Sequence, residues 1–199
     1  MNINQITEYQ ALQMLATQPL EFLRKNALTT YAIPDADAGV HMFYMLRDVG
    51  RTIQRPGSKL GNLNRHDGQR FIVRADGMYG GLPFQAIHIP VQPSNVDFDT
   101  FALHNAGPNL MFTTQLTGCS VAVVPDGGTY RVAHLRPTGE TGEQLRTRLA
   151  AQKNCVYGIT DYTPGRAVVV GVRLGGQWTF CAQNQDSDHN VTSVRRLQA

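Results

Sequence analysis

The sequence predicts an α+β fold, a β-sandwich-like core of mixed and antiparallel strands with helices at the N-terminus and one further helix after a central hairpin. Three observations predict it. Apolar residues recur at helical spacing near the N-terminus, short β-rich runs separated by glycine-containing turns fill most of the remainder, and one capping-box pattern interrupts them after His134.

In chain order, Ile6, Tyr9, Leu12, Met14 and Leu15 follow a helical period over residues 4–16. Thr17-Gln18-Pro19 then breaks that helix and starts a second one, with Pro19 in its first turn and Leu20, Phe22, Leu23 and Ala27 continuing it. Residues 1–30 thus form a helical lead-in that packs on a sheet. Residues 50–81 turn to Gly, Asn, Arg and Asp around a short strand at Phe71-Ile72-Val73, which predicts surface loops able to rim a cleft. Strands are expected at Gln85–Ile89, at Leu110–Leu116, in a hairpin centred on Asp126-Gly127, and at Ala167–Leu174 returning through Gly175-Gly176 as Gln177–Ala182. Thr141 with Gln144, followed by Leu145 and Leu149, signals a helix ending near Lys153. Residues 110–182 form the sheet region that carries the candidate chemistry.

A chain of 199 residues suits a single domain, one that buries roughly 70 per cent of its unfolded surface and needs no disulfides. The three cysteines, Cys119, Cys155 and Cys181, leave at least one thiol unpaired. None sits in a zinc-like spacing, so neither a metal nor a cofactor is expected. A net charge of +3 with scattered basic residues is too little for a nucleic-acid footprint. No apolar run reaches the roughly 18 residues of a membrane span, and the N-terminal stretch lacks the pattern of a Sec signal peptide.

The chemistry points to Leu116-Thr117-Gly118-Cys119. Cys119 and His134 are equidistant from Asp126-Gly127, so a two-residue turn there sets them directly opposite each other. Opposed residues in an antiparallel pair have Cβ atoms roughly 4.5–5.5 Å apart, close enough for an imidazole to take a thiol proton. Alternation puts Cys119, Val121 and Val123 on one face with Tyr130, Val132 and His134. The pair therefore ends an apolar stripe, where a dry wall strengthens a thiolate–imidazolium pair once formed while desolvation favours the neutral groups. Gly118 permits a sharp turn that presents the thiol and leaves backbone N–H groups near Gly118 and Cys119 for an oxyanion. Asn105 is a candidate for orienting His134. His88, between Ile87 and Ile89, reads as a sheet-surface histidine, while His66 and His189 sit in polar, exposed stretches.

Leu-Thr-Gly-Cys opening a strand, with a histidine on the return strand, resembles the Leu-Ser-Gly-Cys signature of the glutamine deamidase toxins typified by the cytotoxic necrotising factor catalytic domain and Burkholderia lethal factor. The resemblance covers roughly residues 110–137. It implies Cys119 as nucleophile, His134 as general base and acid, and Thr117 as the hydroxyl neighbour that the family usually supplies as serine. It also implies an upstream oxygen that orients the histidine, for which Thr113 is the candidate. A β-sandwich with helices packed around it is the fold that the resemblance implies.

The expected function is that of a bacterial effector, a Cys–His protein glutamine deamidase acting as a monomer on a host protein in the host cytosol, after secretion by a route without a Sec signal. The same dyad suits proteolysis, transglutamination or acyl transfer, and a non-catalytic β-sandwich interaction module is the contrasting reading. Mono-ADP-ribosylation ranks below these, since Glu140 and Glu143 do not make the Glu-x-Glu of that class.

Overall fold

A computed structural model describes residues 5–31, 37–53, 68–94, 98–152 and 155–198. In chain order the elements are α1 (Glu8–Thr17), α2 (Pro19–Lys25), β1 (Ala27–Thr30), β2 (Gly39–Ile53), β3 (Gly68–Arg74), β4 (Leu82–Ile89), β5 (Val91–Pro93), β6 (Phe101–Leu103) and β7 (Leu110–Thr113). They continue with β8 (Ser120–Asp126), β9 (Thr129–Arg136), α3 (Gly142–Ala151), β10 (Cys155–Tyr157), α4 (Ile159–Tyr162), β11 (Arg166–Leu174), β12 (Gln177–Gln185) and β13 (Val191–Leu197).

The strands make two sheets. The larger runs β1-β3-β2-β4-β7-β11-β12-β13, and the smaller runs β10-β8-β9-β5 with β6 also on β9. β1 with β3, β4 with β7 and β5 with β9 are parallel, and the other pairs are antiparallel. This is the mixed α+β sandwich expected from the sequence.

Alternating side chains divide the interior into layers. Between the sheets, Ile87, Ile89, Met111, Val169 and Phe180 of the large sheet meet Val121, Val123 and Val132 of the small one. On the other face of the large sheet, Ala11, Leu15, Phe22 and Leu23 of α1 and α2 pack on Phe43, Phe71, Phe112 and Val170. The far face of the small sheet holds Ala122, Ala133 and Leu135 against Leu145 and Leu149 of α3. Each of those two fully buried leucines contributes about 1.5–3 kcal/mol.

The helices start where local chemistry allows it. Thr7 with Gln10, and Thr141 with Gln144, form reciprocal capping boxes, and Pro19 opens α2. α2 stops at Lys25, and Ala27, expected within it, begins β1 instead. The 50–81 reading needs a larger correction. Residues 50–53 end the long strand β2, 68–74 form β3 and 82–89 form β4, while 54–67, including His66 and the Arg55-Pro56-Gly57-Ser58 and Asn62-Leu63-Asn64 turns, lie outside the described residues. A register shift between Asp48 and Thr52 lets β2 run on through Gly50.

Candidate active site

The hairpin that carries Cys119 and His134 turns one residue later than expected. Asp126 pairs with Thr129, leaving Gly127 and Gly128 as the central residues at φ 55° and 90°. Such a turn needs positive φ at both central positions, which Gly-Gly supplies without steric cost and Asp-Gly does not. His134 is therefore opposite Val121, not Cys119. Moving the turn by one residue moves each partner by two, so the face is kept. Cys119 packs against the same inter-sheet core that holds Val121 and Val123. Extending the ladder by one pair beyond Ser120–Leu135 sets Cys119 opposite Arg136 and diagonal to His134, a relation of roughly 7–8 Å. Arg136 does act on the thiol electrostatically.

His134 is fully buried, and neither ring nitrogen has a hydrogen-bond partner among the described residues, the Cys119 sulfur included. Burial, with the charge of His88 adding to it, pushes its pKa down to about 3. Burial likewise pushes the Cys119 thiol up, and Arg136 only partly offsets this. Desolvation wins, and the resting pair is thiol and neutral imidazole.

His88 is a buried member of the large sheet, 2 % exposed, where alternation alone suggested a surface residue. Its Nδ1 has no partner among the described residues, and its ring meets His41 edge-on at 5.7 Å. Burial lowers its pKa to about 4, against a bond to the Asp37 backbone that raises it, with His41 lowering it further. His189, expected in an exposed stretch, is also buried, with Nδ1 3.2 Å from Gln185 Oε1.

The turn before Cys119 is held by a residue that sequence reasoning missed. Tyr162 Oη accepts from the Gly118 N–H at 2.8 Å and donates to the Cys119 carbonyl at 2.9 Å. Gly118 N–H is thus not free for an oxyanion, which corrects half of that expectation. Among the described residues no hydrogen bond occupies the Cys119 N–H. Gly118 has φ 155°, and nothing lies within 4 Å of where a Cβ would stand on it, so open space adjoins this peptide.

Tyr162 is itself firmly set. Its ring stacks on Tyr157 at 6.1 Å, the Tyr157 hydroxyl donates to Asn184 Oδ1, and Asn184 Nδ2 donates to the Asp161 carbonyl at 2.7 Å. The Asp161 carboxylate takes Arg146 at 3.0 Å, Arg195 at 2.6 Å and the Gly158 N–H at 2.9 Å. Burial alone would raise the Asp161 carboxyl, but these three donors hold it below its usual value. No local spacing announces this network, since Tyr162 is 43 residues from Cys119 and meets it only through the fold.

The supporting candidates fare differently. Thr113 is buried on β7 and shares the inner face with Met111. Its hydroxyl donates to the Thr114 carbonyl at 3.0 Å and does not orient His134. Thr117 is exposed. Asn105 lies at the wrong end: Leu103 pairs with Tyr130 and Phe101 with Val132, so the antiparallel run of β6 carries Asn105 toward the Gly127-Gly128 turn. That is about 20 Å of strand from His134, which removes its orienting role. Cys155 is half-buried, Cys181 is buried, and all three thiols are free.

Among the described residues no group of three His, Cys, Asp or Glu side chains is placed to hold a metal ion, and no helix is long and apolar enough to cross a membrane. The sequence matches no family model and no curated protein.

Proposed function

We propose that this chain is a Cys–His amidohydrolase that deamidates glutamine in a protein substrate. One observation carries the reading: Cys119 and His134 share the inner face at one end of the small sheet, and Cys119 brings an unengaged N–H of its own. In the proposed reaction the neutral imidazole takes the Sγ proton as sulfur attacks the glutamine carboxamide carbon. The Cys119 N–H receives the developing oxyanion, and protonated His134 gives its proton to the departing ammonia. Water then adds to the thioester with His134 again as base, returning the thiol and leaving a glutamate. An imidazole held at about 3 is a weak base in the free protein. The proposed reaction therefore requires that substrate binding raise its proton affinity toward the working pH.

The choice of glutamine over other acyl donors, of a host protein as target, and of export without a Sec signal follows from the resemblance of Leu116-Thr117-Gly118-Cys119 and His134 to the deamidase toxins. The test is intact-mass analysis of host proteins incubated with the chain and with its Cys119→Ala variant. A Cys119-dependent gain of about one dalton, with no cleavage and no joined product, is the expected result. Cleavage or conjugation would reassign the reaction. A non-catalytic interaction module is the second reading, favoured by the complete burial of His134, whose ring nitrogens have no partner among the described residues. It makes Cys119 an inert thiol toward acyl donors.

A further inference from the structure

We infer that Tyr162 is the positioning residue of the acylation step, its single hydroxyl holding the Gly118–Cys119 peptide so that the Cys119 N–H faces the incoming acyl oxygen; this rests on the amidohydrolase reading. In an extended strand the N–H of one residue and the C=O of the next project to opposite sides. Tyr162 Oη engages both, the N–H of Gly118 at 2.8 Å and the C=O of Cys119 at 2.9 Å. The chain therefore curls around the phenol, with Gly118 at φ 155°.

Both ends of the dipeptide are pinned to one oxygen, which fixes the rotation of the peptide between them. That peptide carries the Cys119 N–H, the donor that no hydrogen bond occupies among the described residues. The space beside Gly118 is open. A donor of this kind serves catalysis only when its direction is set before charge develops. The phenol stays protonated, because burial pushes its pKa far above the usual tyrosine value. It remains both donor and acceptor throughout. α4 is fixed in turn by Asp161 and by the stacking of Tyr162 on Tyr157.

Two thiol reactions separate positioning from support. Iodoacetamide alkylates sulfur by displacement of iodide and develops no oxyanion. p-Nitrophenyl acetate acylates it: the S–C bond forms, the bond to the aryl oxygen breaks, and the thiol proton passes through His134 to p-nitrophenolate. Tyr162→Phe keeps the ring and loses both bonds. We expect acylation of Cys119 to fall about 10- to 100-fold while alkylation stays within about two-fold. Tyr9→Phe, on the exposed face of α1 and outside this network, should change neither rate.

An equal fall of acylation and alkylation, or no fall in acylation, overturns the inference while leaving wild-type acylation, and so the amidohydrolase reading, intact. If wild type and Cys119→Ala release p-nitrophenol at the same rate, the reading fails and the inference with it. Should Tyr162→Phe not fold, 3-fluorotyrosine at position 162 is the substitute. It is a weaker acceptor for the Gly118 N–H and should slow acylation selectively; an unchanged ratio overturns the inference.

Discussion

Acidification from pH 7.5 to 5 should cost this protein about 4 kcal/mol of stability through two histidines alone. His134 and His88 are neutral in the folded chain, with pKa values pushed down to about 3 and about 4, and each titrates near 6.5 once unfolded. A folded-state pKa below the unfolded one means that the unfolded chain binds more protons between those values. Stability is therefore complete above about pH 6.5 and is lost as pH falls toward the folded pKa. At pH 5 both folded imidazoles are still essentially neutral, so each contributes a loss of about 1.5 pH units at 1.36 kcal/mol per unit, about 2 kcal/mol apiece. That is a large fraction of a typical 5–15 kcal/mol.

The stabilised carboxylates do not enter this window. Asp161 and Glu140 have depressed values, and the stability they contribute disappears only below their unfolded values near 4. The assay is urea unfolding at pH 7.5, 6.5, 5.5 and 5 for wild type, His88→Asn and His134→Asn. Each variant should lose about half of the wild-type pH dependence. Identical pH slopes in all three proteins would refute the reasoning, because the two buried rings would then not be the groups that titrate.

Other measurements bear on the same region. Cys119→Ala should abolish the proposed deamidation, read by intact mass, while chemical denaturation stays within about 1–2 kcal/mol of the parent, since the thiol is only half-buried at a strand end. Iodoacetamide should react slowly with Cys119 at pH 6.5, and no faster than with Cys155, because burial pushes both thiols above the ordinary cysteine value; rapid alkylation at pH 6.5, followed by peptide mapping, would reveal a standing thiolate and refute the neutral resting pair. Asp161→Asn weakens the ties to Arg146 and Arg195, whose guanidiniums are partly exposed, and should cost about 1–3 kcal/mol in a urea melt.

What the sequence made legible was local. Thr141 announces its helix because a capping box is written within four residues, whereas the Thr7 box of α1 is shown by the structure. The Gly175-Gly176 hairpin is readable for the same reason. The central hairpin turns one residue later than the Asp-Gly pattern predicts because Asp126-Gly127 and Gly127-Gly128 both fit a two-residue turn, and Gly-Gly takes positive φ at both centres at the lower steric cost. β2 escaped notice because Arg47, Asp48 and Gly50 interrupt its pattern and a register shift absorbs them. His88 departs from the alternation rule because that rule holds for one-sided sheets. α1 and α2 cover the face that alternation gave to solvent.

The same layering accounts for the state of the dyad. A strand packed on both faces has no wet side, so an imidazole on its inner face is held neutral whatever its role. Cys119 lies one residue before β8, where the ladder has not yet begun, and there the chain brings together a thiol, an N–H that no hydrogen bond occupies among the described residues, and open space beside Gly118. In the proposed reaction the substrate reaches the pair from the cysteine side, and His134 receives and returns protons from the dry side. A substrate group that reaches the turn pinned by Tyr162 meets the thiol first. In the proposed reaction the ion pair is a product of binding and not a property of the free protein, which is why the pH of alkylation and the pH of catalysis should differ.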